Sequence, residues 1–133
     1  MNAAVAAARE QTARIALLND LARCAMGIAC TAVAAVGFRS LPEADQSQVR
    51  ELIETYDAFN EDSNPYGERD FGTIYQLADG RWTTERPRFS DDERERVFWK
   101  FDYYDRDLRF GSEDAANPAI TRRVLTIMLS DEY

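Results

Sequence analysis

The sequence predicts an α+β domain, about three helices packed on a mainly antiparallel sheet of four or so strands. Three observations predict it. Apolar residues recur at helical spacing in the first quarter of the chain and again after residue 43; from residue 73 to 104 they alternate at strand spacing; and Ala78-Asp79-Gly80 supplies a hairpin turn between extended segments. The 133 residues suit one domain over 1–133, with the Ala-rich residues 1–11 expected to fray.

Ala3–Cys24 reads as the first helix. Ile15, Leu18 and Ala22, with the neighbouring Leu17 and Leu21, form its apolar stripe, and Arg9, Arg14, Asp20 and Arg23 lie on other faces. The run Cys24–Phe38 has only Thr31 as a polar member. It is short for a membrane span and is broken by Gly27 and Gly37, so it reads as a buried strand over Gly27–Phe38, bent at Gly37. Ser40 and Glu43 stand at capping-box spacing with Pro42 in the first turn, which starts a second helix. Val49, Leu52, Ile53, Tyr56 and Phe59 give it an apolar side, and Glu43, Asp45, Glu51, Glu54 and Asp57 an acidic one.

Thr73–Leu77 and Arg81–Thr84 flank the hairpin turn, and Glu85–Asp92 reads as loop. Val97–Tyr104 is the clearest strand, with Val97, Trp99, Phe101 and Tyr103 on one side and Phe98, Lys100, Asp102 and Tyr104 on the other. Asn117 and Pro118 signal a last helix carrying Ile120, Val124, Leu125, Ile127 and Met128 on its apolar side.

Composition narrows the function. The hydrophobic share of 45% supports one core, and the mean hydropathy of −0.49 that of a soluble protein. The net charge is −8, with nine acids against two arginines in residues 41–72. Such a surface repels nucleic acid and anionic membranes and suits a basic partner. Cys24 and Cys30 match no zinc or redox spacing and sit in an apolar run as small hydrophobes, so the expected compartment is the reducing cytoplasm. There is no histidine, Gly-rich phosphate loop or nucleophile elbow. No catalytic residue, metal or cofactor is therefore assigned.

The densest stretch is Asp62–Gly72, DSNPYGERDFG. If this loop meets the end of the long strand, Glu68, Asp70, Asp102 and Asp105 would converge and could hold a hard cation such as Mg²⁺, the basis of a small carboxylate-based enzyme. The alternative use of the acids is display. Glu43, Asp45, Glu51, Glu54, Asp57, Glu61, Asp62, Glu68 and Asp70 form a line of carboxylates able to occupy a basic groove on a protein partner. Arginines interleaved with aromatics over Arg81–Lys100 offer a stacking surface for single strands, but that stretch is neutral and its aromatics fit a sheet better.

Four stretches, RIALLND (Arg14–Asp20), NPYGERDFG (Asn64–Gly72), FWKFDYYD (Phe98–Asp105) and TRRVLTIMLSDEY (Thr121–Tyr133), together resemble the small bacterial domain-of-unknown-function family numbered 3768, over about residues 12–133. The resemblance implies a bacterial protein of the kind carried on plasmids and in prophage-like regions, and it brings no catalytic set. Arg69 stands where that family's PYGEHDFG pattern has His, which puts any catalytic or metal role of that His in doubt here. Joined to the acidic stretch, it implies a mobile-element inhibitor of a nucleic-acid-handling defence complex, of anti-CRISPR or anti-restriction type.

Overall fold

The computed structural model describes residues 2–133. Its elements run α1 (Ala3–Cys24), β1 (Thr31–Ala34), α2 (Val36–Arg39), α3 (Glu43–Glu54), β2 (Phe71–Leu77), β3 (Trp82–Thr83), β4 (Glu93–Tyr104) and β5 (Arg122–Leu129). The five strands form one sheet in the order β1-β5-β4-β2-β3. Every pairing is antiparallel except β1 with β5, which is parallel.

Strand alternation sets the layers. Ile74 of β2, Val97, Trp99 and Phe101 of β4, and Leu125 and Ile127 of β5 pack with Phe38, Val49, Ile53 and Tyr56 into one core. The other sheet face carries Phe71, Phe98 and Tyr133 in mutual ring contact. Gly72 is dictated by close approach: a Cβ there would lie 2.3 Å from Nε1 of Trp99. The hairpin forms as its turn residues predict, with Gly80 at φ +94° and the Leu77 amide donating to the Arg81 carbonyl at 2.7 Å.

Four sequence expectations are corrected. The last helix is instead strand β5. Its position between β1 and β4 buries Leu125 and Ile127 on one face and Met128 on the other, so apolar residues fall on both faces and also satisfy helical spacing. Asn117 does cap, accepting the Ala119 amide at 3.0 Å, but it closes only a turn.

Ser40 does not start the following helix. Its hydroxyl donates to the Val36 carbonyl at 2.8 Å and closes α2, while α3 begins after Pro42 without a side-chain cap. Gly37 lies in α2, where Glu132 accepts the Gly37 and Phe38 amides, and a Cβ at 37 would stand 2.7 Å from that carboxylate and displace it.

The run Cys24–Phe38 is not a buried strand. β1 is a four-residue sheet edge, and Ile28, Val33 and Val36 are exposed. Cys24 is exposed and Cys30 half-buried.

The inward face of α1 keeps Ile15 and Ala22 of the expected stripe but replaces its other members. Ile15, Asn19, Ala22 and Arg23 are buried, while Leu17 and Leu21 are 58% and 56% exposed. Asn19 and Arg23 turn inward because hydrogen-bond partners await them there.

Candidate functional site

Asn19 and Arg23 lie one turn apart on the same helical face, so both side chains enter the space between α1, the Asn64–Gly72 loop and the sheet. Asn19 is fully buried and its amide is used on every side. It donates to the Glu68 carbonyl at 3.0 Å and to the Tyr103 hydroxyl at 2.8 Å, and accepts from Nε of Arg123 at 3.0 Å. Tyr103 in turn donates to Oε1 of Glu68 at 3.0 Å. Burial, with the Glu68 and Asp70 carboxylates nearby, pushes the Tyr103 pKa up, so the phenol stays protonated and able to donate.

Arg23 stitches the other side. Nη1 donates to the carbonyls of Ile53 and Tyr56, both at 3.0 Å, which closes the C-terminus of α3. Nη2 pairs with Asp20. Its Nε has no partner among the described residues, and the guanidinium lies against the Phe59 and Trp99 rings at 5.4 and 5.1 Å.

Arg69 completes the set from the loop. It adopts a left-handed φ of 56°, held by its amide donating to Oδ1 of Asn64 at 2.9 Å. Its Nε bonds Asp20 at 3.0 Å, Nη2 stands 3.5 Å from Asp57, and the guanidinium covers the Phe59 ring at 4.3 Å. Arg69 is therefore a cross-link between α1, the exit of α3 and the loop.

The four stretches quoted from the sequence thus meet in one place: Asn19 and Asp20 from the first, Glu68 and Arg69 from the second, Tyr103 from the third and Arg123 from the fourth. Of these, only Glu68 was predicted as a site residue; Asn19, Asp20, Arg69, Tyr103 and Arg123 were not, nor was Arg23 beside them. The available signal was a pair of polar residues spaced i, i+4 in register with Ile15 and Ala22.

The expected convergence of carboxylates does not form. Glu68 is occupied by Tyr103, Asp102 pairs with Lys100 at 3.1 Å, and Asp105 accepts the Arg109 amide at 2.9 Å. Asp70 is half-buried beside the sheet, and burial raises its pKa, with Asp102 adding to the shift. Among the described residues no group of three or more acids or cysteines has metal-holding geometry.

The acidic line divides. Glu43, Glu51, Glu54, Asp57, Glu61 and Asp62 are exposed. Asp45 is half-buried and accepts Nε1 of Trp82 at 3.0 Å, and Glu68 and Asp70 are drawn inward. Of the six exposed acids only Asp57 has an ion-pair partner among the described residues. In the Arg81–Lys100 stretch Trp82 and Trp99 are buried, so they cannot stack on a strand of nucleic acid. No described helix is long and apolar enough to cross a membrane.

These features define a small α+β protein whose signature residues hold helix, loop and sheet together, beside an unneutralised acidic face. The family described as a protein of unknown function (DUF3768) matches residues 34–132, and the chain belongs to it. No curated protein and no solved structure matches the chain. Asn19, Asp20 and Arg23 lie before the matched residues and still complete the network.

Proposed function

We propose that this chain is a non-enzymatic interaction protein whose acidic face, running from α3 into the loop after it, occupies a basic groove on a protein partner. The observation that carries the reading is that Glu43, Glu51, Glu54, Glu61 and Asp62 are exposed without a basic partner among the described residues, within a chain of net charge −8. Carboxylates left unpaired at a surface keep their long-range field, which steers association with a cationic surface and is screened by salt. The partner class that fits is a nucleic-acid-handling complex, whose basic groove already accepts a row of anions, and the role is that of a mobile-element inhibitor.

The test is recovery of the partner from the native host by tagged protein at low and raised salt, with Glu51→Arg, Glu54→Arg and Glu61→Arg combined in a parallel bait. The expected result is a nucleic-acid-binding complex that is lost at raised salt and absent with the reversed bait, and whose nucleic acid is displaced by this chain. A partner retained equally by both baits would overturn the acidic-face reading.

A further inference from the structure

The head of β5 has a charge pattern opposite to that of the rest of the molecule. β1 pairs with β5 only from Thr31 opposite Val124 onward, so Arg122 and Arg123 have β4 on one flank and a strand-free space on the other. That space is a cleft of about 470 Å³ between the end of α1, the Gly27–Thr31 segment and the loops bearing Arg106 and Pro118. Arg106, Arg122 and Arg123 line it. Among the described residues none of the chain's 24 acids does, although acids outnumber the 16 bases overall.

These arginines are not neutralised by contact within the protein. Arg106 and Arg122 are exposed and form no ion pair among the described residues. Arg123 is only 6% exposed, and its bonds go to uncharged acceptors, Oδ1 of Asn19 and the Ala115 carbonyl. Burial pulls its pKa below the ordinary value, and the neighbouring Tyr103, Glu68 and Cys30 offset this only in part.

The opposite wall is apolar. Leu21 and Ile28 line the cleft at 56% and 91% exposure. Guanidinium forks match the two oxygens of a carboxylate, and an apolar body laid on Leu21 and Ile28 would remove both from water. The volume falls in the range of about 300–1,000 Å³ typical of small-molecule sites.

We propose that this cleft binds a small amphipathic carboxylate, with its carboxylate group on Arg106 and Arg122 beside Arg123 and its apolar body against Leu21 and Ile28. The site uses none of the acids of the proposed partner face, so the two readings stand or fall separately.

Octanoate, octanol and inorganic phosphate titrated into the full chain, by calorimetry and amide NMR shifts, test it. Octanoate is expected to bind saturably with shifts centred on Ile28, Thr31 and Arg122, and octanol and phosphate each roughly tenfold or more weaker, as loss of one charged hydrogen-bond set implies. Arg106→Gln combined with Arg122→Gln should weaken octanoate by a similar factor, leave octanol unchanged, and keep the unfolding midpoint because both side chains are exposed. Octanoate binding no better than octanol, indifferent to the double variant, centred elsewhere, or absent at millimolar concentration would overturn the proposal. Phosphate binding as tight as octanoate would overturn the ligand class.

Discussion

Two neighbouring regions of this chain are both rich in charged residues and use them in opposite ways. In the Asn64–Gly72 loop, Glu68 accepts the Tyr103 hydroxyl and Arg69 spans Asp20 and Asp57. In the segment from Glu43 to Asp62, five of the six exposed carboxylates have no basic partner among the described residues. Charge density along a sequence therefore does not separate structural from surface roles; the partner does. A polar group removed from water must be matched within the fold, whereas an exposed carboxylate keeps its hydration and stays available to another molecule.

The comparison is broken most strongly on the buried side. Arg23→Ala leaves the Ile53 and Tyr56 carbonyls and Asp20 without their donor, and should cost about 3–5 kcal/mol in urea unfolding, as removing one member of a buried charged set does. Gly72→Ala forces a methyl onto the Trp99 indole and should cost about 3 kcal/mol, at the upper end for overpacking. Tyr103→Phe strips one bond each from Asn19 and Glu68 and should cost about 1–2 kcal/mol. A loss as small as that of a surface substitution in both Arg23→Ala and Tyr103→Phe would mean that the network is not what joins α1 to the sheet.

Acidity sharpens the contrast further. Burial raises the Asp70 pKa above its ordinary 3.8, so folding favours the protonated acid. The ionised form thus costs stability, a cost absent below pH 3.8 and complete above the raised value. Asp70→Asn should raise the thermal midpoint at pH 7 and leave it unchanged in stronger acid. Glu132 behaves oppositely. The Leu129, Gly37 and Phe38 amides hold its pKa below the ordinary 4.5, so its contribution is present above that pH and is lost as pH falls through the lowered value. The smallest effect on folding is expected from Glu51→Arg with Glu54→Arg, within about 0.5 kcal/mol of wild type, since both side chains face solvent. A larger loss would place those acids in the structural class with Glu68.

Much of the architecture was legible in the chain. The helix Ala3–Cys24, the hairpin at Gly80 and the alternation of Val97, Trp99 and Phe101 follow from local rules, because each signal is complete within a few residues. The 122–129 segment was not legible as a strand, because apolar residues on both faces (Val124 and Met128 on one, Leu125, Ile127 and Leu129 on the other) blur the alternation that separates strand from helix. Most residues of the candidate site lie in the four stretches that carry the family resemblance, but no local pattern marked them as a cluster.

The sequence by itself determined the α+β class, the acidic excess over residues 41–72 and the family to which the chain belongs, since composition, periodicity and motif need no partner in space. The tertiary structure alone decided which charges are spent and which are free. Asn19 meets Arg123 across 104 positions and Glu68 across 49, and the arginine cleft opens only because β1 starts two residues inside the head of β5. Such pairings depend on which elements the core brings together, and no local pattern along the chain records them.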